Sequence, residues 1–376
     1  MKIPQPIWVF ILSLSAIPIT YTVNNIPASE DPFAILGIGV AVLVVLFFLV
    51  CFAARSNPPQ DPLFYMFTVF SFTCVIDLII SLEQDGFISG FMDFYIKEGE
   101  PYLRTPYGRM ICYWDGTVHY ALYLMMVTRI SKRQGYRSAG LYWLGSILLS
   151  MIVFLAGNIV GKYGSDIHPA FLLNIPFLFL PVWAGVKVSE KPRTLTPRTA
   201  DEVAVEQQKL PHQRPLDLLL LIFLLSSIAY TLFRGFVALD CPSESCFNYI
   251  YQYEPYLKDP VAYPKVQMLV YLFYALPLLC LFVYGLLKPG CSWMLDWTLV
   301  FAGAVAQAQF THIGGSLHPW TPYTYRVPEE TVWPFLLMNL LYAVGPQILA
   351  LRCLMHPEFF LSPAALREAD QDKKHK

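Results

Sequence analysis

The chain has 376 residues, of which 56% are hydrophobic and 14% are charged, and its formal net charge is −1. Soluble domains usually carry about 25% charged residues, so this composition excludes an ordinary soluble globular protein. The net charge itself says nothing about partners, and no basic patch suggests a nucleic-acid partner.

Apolar segments follow one another along the chain, each close to the roughly 20 residues that an α-helix needs to cross a bilayer. Polar residues interrupt the ninth of them, and prolines interrupt the tenth. The sequence therefore predicts an all-α polytopic membrane protein with about ten transmembrane helices. The predicted spans are residues 5–24, 33–54, 63–82, 109–130, 139–161, 167–188, 215–238, 265–287, 292–312 and 331–354.

Lysine and arginine cluster in two connections, and the positive-inside rule places both clusters in the cytosol. The clusters are Arg129, Lys132, Arg133 and Arg137 after the fourth span, and Lys187, Lys191, Arg193, Arg198, Lys209 and Arg214 after the sixth. An even number of spans then places both termini in the cytosol. The opening Met1-Lys2 with its apolar run is also compatible with a cleaved signal peptide. We favour a retained first helix, because the basic connections already fit without cleavage.

Three short motifs occur twice in the same order at an offset of roughly 150 residues, which indicates a tandem duplication of a domain-sized unit. They are Glu100-Pro-Tyr-Leu-Arg with Glu254-Pro-Tyr-Leu-Lys, Asp61-Pro-Leu with Arg214-Pro-Leu, and Gly164-Ser-Asp-Ile-His-Pro with Gly315-Ser-Leu-His-Pro. The predicted organisation is two N-terminal transmembrane helices (1–60), a four-helix first repeat (61–188), a polar cytosolic linker (189–213), a four-helix second repeat (214–355) and a cytosolic tail (356–376).

Two aspartates lie inside predicted spans of the first repeat, where a charged side chain is costly and is by default a functional hypothesis. Asp77 lies late in the third span, and Asp115 lies early in the fourth, four residues before His119 on the same helix face. We therefore expect the two carboxylates at similar depth. Such a pair can hold a cationic group, share a proton or act as acid and base. Alternatively, Asp115 pairs with His119 or Arg109, and Asp77 only caps its helix near water.

The second repeat has different residues at these places. Counted from the aligned motifs, Arg234 falls within a residue or two of the place of Asp77, and Tyr271 falls within a residue or two of the place of Asp115. Arg234 either binds a lipid phosphate or carboxylate, or pairs with Asp240 at the lumenal edge. The last two predicted spans carry a set of polar residues without a carboxylate: Gln307, Gln309, His312 and Asn339. This set either holds a sterol hydroxyl or joins helices.

Cysteines and the chain end carry two further predictions. Cys241 and Cys246 lie in a connection predicted to be lumenal, where disulfides persist, so they either form a bridge or remain free. The other six cysteines fit helix packing, and no Cys/His spacing indicates a metal site. Lys373 and Lys374 stand third and fourth from the end. In a cytosolic tail they form a dilysine retrieval signal for the endoplasmic reticulum, or simply a solvated charged end.

The order Asp77, Glu100-Pro-Tyr-Leu and Trp114-Asp115 resembles the EXPERA domain. That four-helix membrane module is shared by the emopamil-binding sterol isomerases and the sigma-2 receptor. Two tandem copies behind two extra helices resemble the transmembrane 6 superfamily, and the stretch 249–256 is closer to its member 2 branch than to member 1. Further distinctive stretches are 79–86, 111–117, 157–163 and 259–265.

The resemblance implies a sterol- or lipid-binding membrane protein without catalysis or cofactor. Its implied role is in lipid metabolism, in lipidation and secretion of triglyceride-rich lipoproteins, and in lipid droplet content. One alternative is a Δ8-Δ7 sterol isomerase-like enzyme with Asp77, Asp115 and His119 as catalytic candidates. Another is a scaffold or transporter-like protein whose pocket is vestigial. The isomerase's His and Glu pattern is, however, not reproduced in the third span. The candidate ligand-binding residues are Asp77, Asp115, Trp114, His119 and Asn158.

The resemblance also gives expectations for partners and location. The expected partners are a sterol or another membrane lipid, lumenal lipoprotein-assembly proteins, and coat machinery that reads Lys373 and Lys374. The expected location is the membrane of the endoplasmic reticulum and of the ER–Golgi intermediate compartment.

Overall fold

The computed structural model describes residues 4–26, 31–194 and 198–362, and its elements in this part of the chain are helical. The apolar runs form the long helices, and prolines or capping side chains mark many of their starts, as Asp31 does for α2. The helices are α1 (Gln5–Leu14 and Ala16–Asn24), α2 (Pro32–Ala54), α3 (Leu63–Gln84), α4 (Pro106–Trp114, Asp115–His119 and Tyr120–Ser131), α5 (Arg137–Val160), α6 (Pro169–Asn174 and Pro176–Ser189), α7 (Ala200–Gln207), α8 (Pro215–Ala238), α9 (Glu244–Gln252), α10 (Tyr263–Val270, Tyr271–Ala275 and Leu276–Leu287), α11 (Met294–Leu317) and α12 (Val332–Met355).

Eight of these helices are long and apolar enough to cross a membrane. The other two predicted spans, 109–130 and 292–312, are also helical, as parts of α4 and α11. They are more polar because α4 carries Asp115 and His119, whereas α11 carries two glutamines and His312. The structure confirms an all-α, multi-pass membrane protein.

The two repeats share a local irregularity. A π-helical segment interrupts α4 at Asp115–His119, and another interrupts α10 at Tyr271–Ala275. Such segments are rare and often occur at functional sites. The π segments begin at the two residues that the repeat alignment pairs, Asp115 and Tyr271.

The repeats contact each other along α5 and α11, which pack together closely. A Cβ atom at Gly145 would overlap the carbonyl oxygen of Val300, and one at Gly303 would overlap the carbonyl oxygen of Tyr142. Small residues permit this backbone-to-backbone approach of membrane helices. The crossing therefore depends on a glycine from each repeat.

The N-terminal helices pack against the first repeat. The hydroxyls of Ser13 and Tyr120 are 2.8 Å apart, which joins α1 to α4. Gly39 of α2 faces the side chain of Leu173 at the start of α6, where a Cβ atom would be 2.7 Å away. Helices α1 and α2 thus close one side of the first repeat.

The linker helix α7 packs on the segment that follows α12. The side chain of Gln207 donates hydrogen bonds to the carbonyl oxygens of Glu358, Phe359 and Leu361. Arg198 adds an ion pair with Glu358 at 2.7 Å. The linker therefore holds the start of the tail in a fixed place.

Candidate functional site

A cavity of about 200 Å³ lies inside the first repeat and is closed on one side by α1 and α2. Its walls are mostly apolar side chains, as expected for a small-molecule site with few oriented polar groups. Representative wall residues are Ile35, Val42, Phe72, Ile80, Met151 and Phe177.

Three carboxylates line the cavity and form what we call its acidic end: Asp77, Glu100 and Asp115. Asp77 lies within electrostatic range of the other two. No lysine or arginine is found among the described residues that line the cavity. The acidic end therefore has no cationic side chain of its own to balance it.

A close helix contact sets Asp77 and Asp115 at one level. Gly116 packs against the backbone of Leu78, and a Cβ atom at Gly116 would be 2.8 Å from the Cα atom of Leu78. Asp77 directly precedes Leu78 in the chain, and Asp115 directly precedes Gly116. The geometry thus brings both predicted aspartates to one cavity, although they come from different helices.

Asp115 is bonded to His119 across one turn of the π segment. The Asp115 Oδ1 atom is 2.6 Å from His119 Nδ1. On the other side of the ring, His119 Nε2 is 2.7 Å from the Ser146 hydroxyl, which also accepts a hydrogen bond from the Trp114 indole at 2.9 Å. Both imidazole nitrogens are therefore engaged within the protein, and His119 is 1% exposed.

Glu100 was not among the sequence candidates, although its motif marks the repeat. Its carboxylate accepts hydrogen bonds from the hydroxyls of Tyr95, at 2.8 Å, and Tyr102, at 2.5 Å, and from the Asn174 amide. Burial raises the pKa of Glu100, and the three hydrogen bonds offset this only in part. The duplication of Glu-Pro-Tyr-Leu was the signal that identifies this residue.

A further polar atom faces the cavity without a protein partner. The Ser150 hydroxyl of α5 is buried, lines the cavity, and makes no hydrogen bond within the described residues. A buried hydroxyl without a partner is destabilising by about 1–3 kcal/mol. Ser150 is therefore a natural hydrogen-bonding point for a ligand.

The other predicted ligand-binding residues lie outside the cavity lining. Trp114 packs against Phe310 of α11, with ring centroids 5.2 Å apart. Asn158 accepts a hydrogen bond from Tyr263 of the second repeat. Both residues connect the repeats. The predicted retrieval residues Lys373 and Lys374 lie outside the described residues.

The second repeat has a closed polar centre at the corresponding place. Arg234 donates hydrogen bonds of 3.0 and 2.8 Å to Glu254, and Glu254 also contacts His312 and Asn339. Burial alone would raise the pKa of Glu254, but the guanidinium, the imidazole and the amide hold it at about 2. The expected pairing of Arg234 with Asp240 is wrong, since Glu254 folds back into the helices. The polar set also meets a carboxylate, because His312 and Asn339 contact Glu254.

The residues of the connection between α8 and α10 take separate roles. Asp240 pairs with Lys258 and Lys265 at 2.9 and 2.6 Å. Cys241 and Cys246 are joined in a disulfide. In the described part of the chain, no group of histidine, cysteine and acidic side chains is arranged to hold a metal ion.

Comparison with known proteins agrees with this architecture. Residues 15–199 match the family model described as "Transmembrane 6 superfamily member 2-like, transmembrane domain", and residues 247–353 match the EXPERA (EXPanded EBP superfamily) model. No solved structure matches the chain.

Two curated relatives match over almost their full length. Transmembrane 6 superfamily member 2 of Homo sapiens is 56% identical over 352 residues, which cover 94% of this chain and 93% of the human protein. The Mus musculus protein of that name is 54% identical over 365 residues, which cover 96% of each chain. With the first-repeat cavity and the duplicated motifs, these matches show that the chain belongs to the transmembrane 6 superfamily.

Proposed function

We propose that this protein is a non-catalytic membrane protein that binds a sterol or another membrane lipid in the first-repeat cavity. The observation that carries the proposal is an apolar cavity between membrane helices that closes on three carboxylates and an unpartnered hydroxyl. The apolar walls suit a hydrocarbon body, and the acidic end and Ser150 suit its polar group. The absence of the isomerase's His and Glu pattern from the third span supports binding without catalysis.

A second candidate is an isomerase-like activity that moves a sterol double bond. One contact favours it: the 2.6 Å pair of Asp115 and His119 at the cavity wall. A carboxylate–imidazole pair is a common device for proton transfer. The two candidates use one cavity and differ in whether the bound sterol leaves it changed.

The test is mass spectrometry of lipids after the purified protein is incubated with a Δ8-sterol. Native protein is compared with an Asp77→Asn, Asp115→Asn double variant, and with Asp93→Asn, an exposed acid outside the cavity lining, as the matched control. Retained, unaltered sterol that only the double variant loses supports binding. A shifted double bond made by native protein establishes the isomerase instead. Equal retention by all three proteins contradicts a site at the acidic end.

The wider role that we propose is support of lipid metabolism, of triglyceride-rich lipoprotein lipidation and secretion, and of lipid droplet content. Membership in the transmembrane 6 superfamily supports it. We place the protein in the endoplasmic reticulum and the ER–Golgi intermediate compartment with both termini cytosolic, where Lys373 and Lys374 reach coat machinery. Lumenal lipoprotein-assembly proteins are its proposed partners. Replacing both lysines by serine should move the protein forward in the secretory pathway; an unchanged distribution argues against the signal.

A further inference from the structure

A second, larger space lies between the repeats. It is a groove of about 1060 Å³ with α5 and α6 on one side and α10 and α11 on the other. We call it the inter-repeat groove. No described residue lines both this groove and the first-repeat cavity, so the two spaces are separate.

The groove is apolar along its length and open to the side. Its floor is the close crossing of α5 and α11, where Gly145 meets Val300. Its rims carry apolar side chains that are largely exposed: Val182 at 51%, Val186 at 56% and Phe273 at 72%. In a bilayer these rims face acyl chains, so a lipid tail can enter sideways.

One end of the groove is charged, and the charges do not balance. Asp296 at the start of α11 pairs with Arg137 at 2.8 Å and with Arg193 at 2.5 Å. Arg137 also donates hydrogen bonds to the carbonyl oxygens of Ser189 and Lys191, so its guanidinium is occupied by protein partners. Arg193 is 32% exposed, and among the described residues it bonds through Nε and Nη2 to Asp296. Glu190 also lines this end of the groove and pairs with Lys187 at 3.1 Å. Counting that pair, three cations, Arg137, Arg193 and Lys187, meet two carboxylates, Asp296 and Glu190, which leaves one excess positive charge. Arg193 lies beside the groove, bound to its lining residue Asp296, and is open to a ligand.

We propose that the inter-repeat groove binds a glycerophospholipid from the leaflet on the basic side of the membrane. Its acyl chains lie between α6 and α10, and its phosphate lies beside Arg193. The charge decides between lipid classes: a phosphate neutralises the excess cation, whereas a sterol or a diacylglycerol brings only hydroxyl and ester groups.

The experiment uses the full chain in phosphatidylcholine vesicles that contain either of two photoactivatable probes. One probe is a phosphatidylcholine and the other a diacylglycerol, each with a diazirine on one acyl chain. After irradiation, labelled peptides are mapped by mass spectrometry. We expect the phosphatidylcholine probe to concentrate on groove peptides of α6 and α10. An arginine near a membrane phosphate contributes about 1 kcal/mol, or roughly fivefold in occupancy. Arg193→Gln should therefore lower groove labelling by the phospholipid probe by about that factor, and leave labelling by the diacylglycerol probe unchanged.

Two bulky substitutions distinguish a specific lipid site in the groove from general contact with the bilayer. Val186→Trp fills the rim of the groove and should abolish phospholipid labelling there. Leu219→Trp, on the exposed face of α8 at 63% exposure, adds the same bulk outside the groove and should change nothing in it. Labelling spread evenly over all lipid-facing helices, or equal groove labelling in Val186→Trp, overturns the proposal. Preferred labelling by diacylglycerol overturns the assignment of the phosphate.

Discussion

Glu100 and Glu254 occupy the same position of the repeated Glu-Pro-Tyr-Leu motif, yet only Glu254 is paired with an arginine. The arginine, Arg234, belongs to α8, the helix that corresponds to α3, which carries Asp77 in the first repeat. The second repeat therefore balances its buried carboxylate within the chain. The first repeat has a second acid on the corresponding helix and leaves a cavity beside it.

The first prediction concerns this internal pair. Arg234→Met leaves Glu254 as a buried charge without its main partner, and breaking such a pair costs about 3–5 kcal/mol. We expect a clear fall in the unfolding temperature of the purified protein in detergent. Adding Glu254→Gln to the same variant should recover part of that loss. The control is Lys258→Gln in an exposed ion pair, which should change little; a comparable fall there would argue against a special role for Arg234.

The second prediction concerns pH. The contributions of Glu254 and Glu100 to the free energy of unfolding change with pH in opposite directions. The pKa of Glu254 is lowered from its ordinary value of 4.5 to about 2, so the unfolded chain binds the proton more readily. Its contribution to stability is present above about pH 4.5 and is lost as the pH falls towards about 2. The pKa of Glu100 is raised, so its contribution is present below pH 4.5 and is lost as the pH rises through the raised value.

Unfolding midpoints measured against pH in Glu100→Gln and Glu254→Gln variants test these signs. Relative to the native protein, Glu254→Gln should flatten the loss of stability in acid. Glu100→Gln should instead remove a loss of stability on the alkaline side of pH 4.5. Changes of the same sign in both variants would contradict the assignment.

The third prediction concerns the crossing of α5 and α11. Gly303→Ala forces the backbone of Tyr142 away, and overpacking of this kind costs about 1–3 kcal/mol or more. Gly37→Ala in α2 is the matched control, because a Cβ atom there meets nothing within 4 Å. We expect a lower unfolding temperature for Gly303→Ala only, measured in one detergent on both proteins.

The fourth prediction tests the proposed orientation. The chain has no Asn-x-Ser/Thr acceptor, so engineered acceptors report cleanly. Ser243→Asn creates one beside the disulfide, at a position where asparagine can also cap α9, and Pro192→Asn creates one in the linker. Only the Ser243→Asn protein should gain an endoglycosidase-sensitive glycan in cells. A glycan on the Pro192→Asn protein alone would reverse the orientation.

The sequence predicted the helices well, because a span must satisfy its backbone internally and reads as a long apolar run. It also predicted that Asp77 and Asp115 come together, because the two helices that carry them meet at one end. Neither inference requires knowledge of how the helices are rotated. The meeting of Gly116 with Leu78 then adds a contact that hydropathy does not encode.

The parts that could not be predicted depend on rotation and on connections that fold inwards. Asn158 looked like a ligand-binding amide, but it faces Tyr263 of the other repeat. Glu100 and Glu254 lie in connections between spans, and neither was selected from the sequence as a site residue. Both are buried among the helices, where Glu254 replaces Asp240 as the partner of Arg234.

The glycine crossing also limits how the molecule can move. Transporters built from repeats work by rocking one repeat against the other around a central site. Here the backbones of α5 and α11 touch at both Gly145 and Gly303, with no layer of side chains between them to slide. Rocking would have to break this crossing. Helices α1 and α2, which close the other side of the first-repeat cavity, lie outside this crossing.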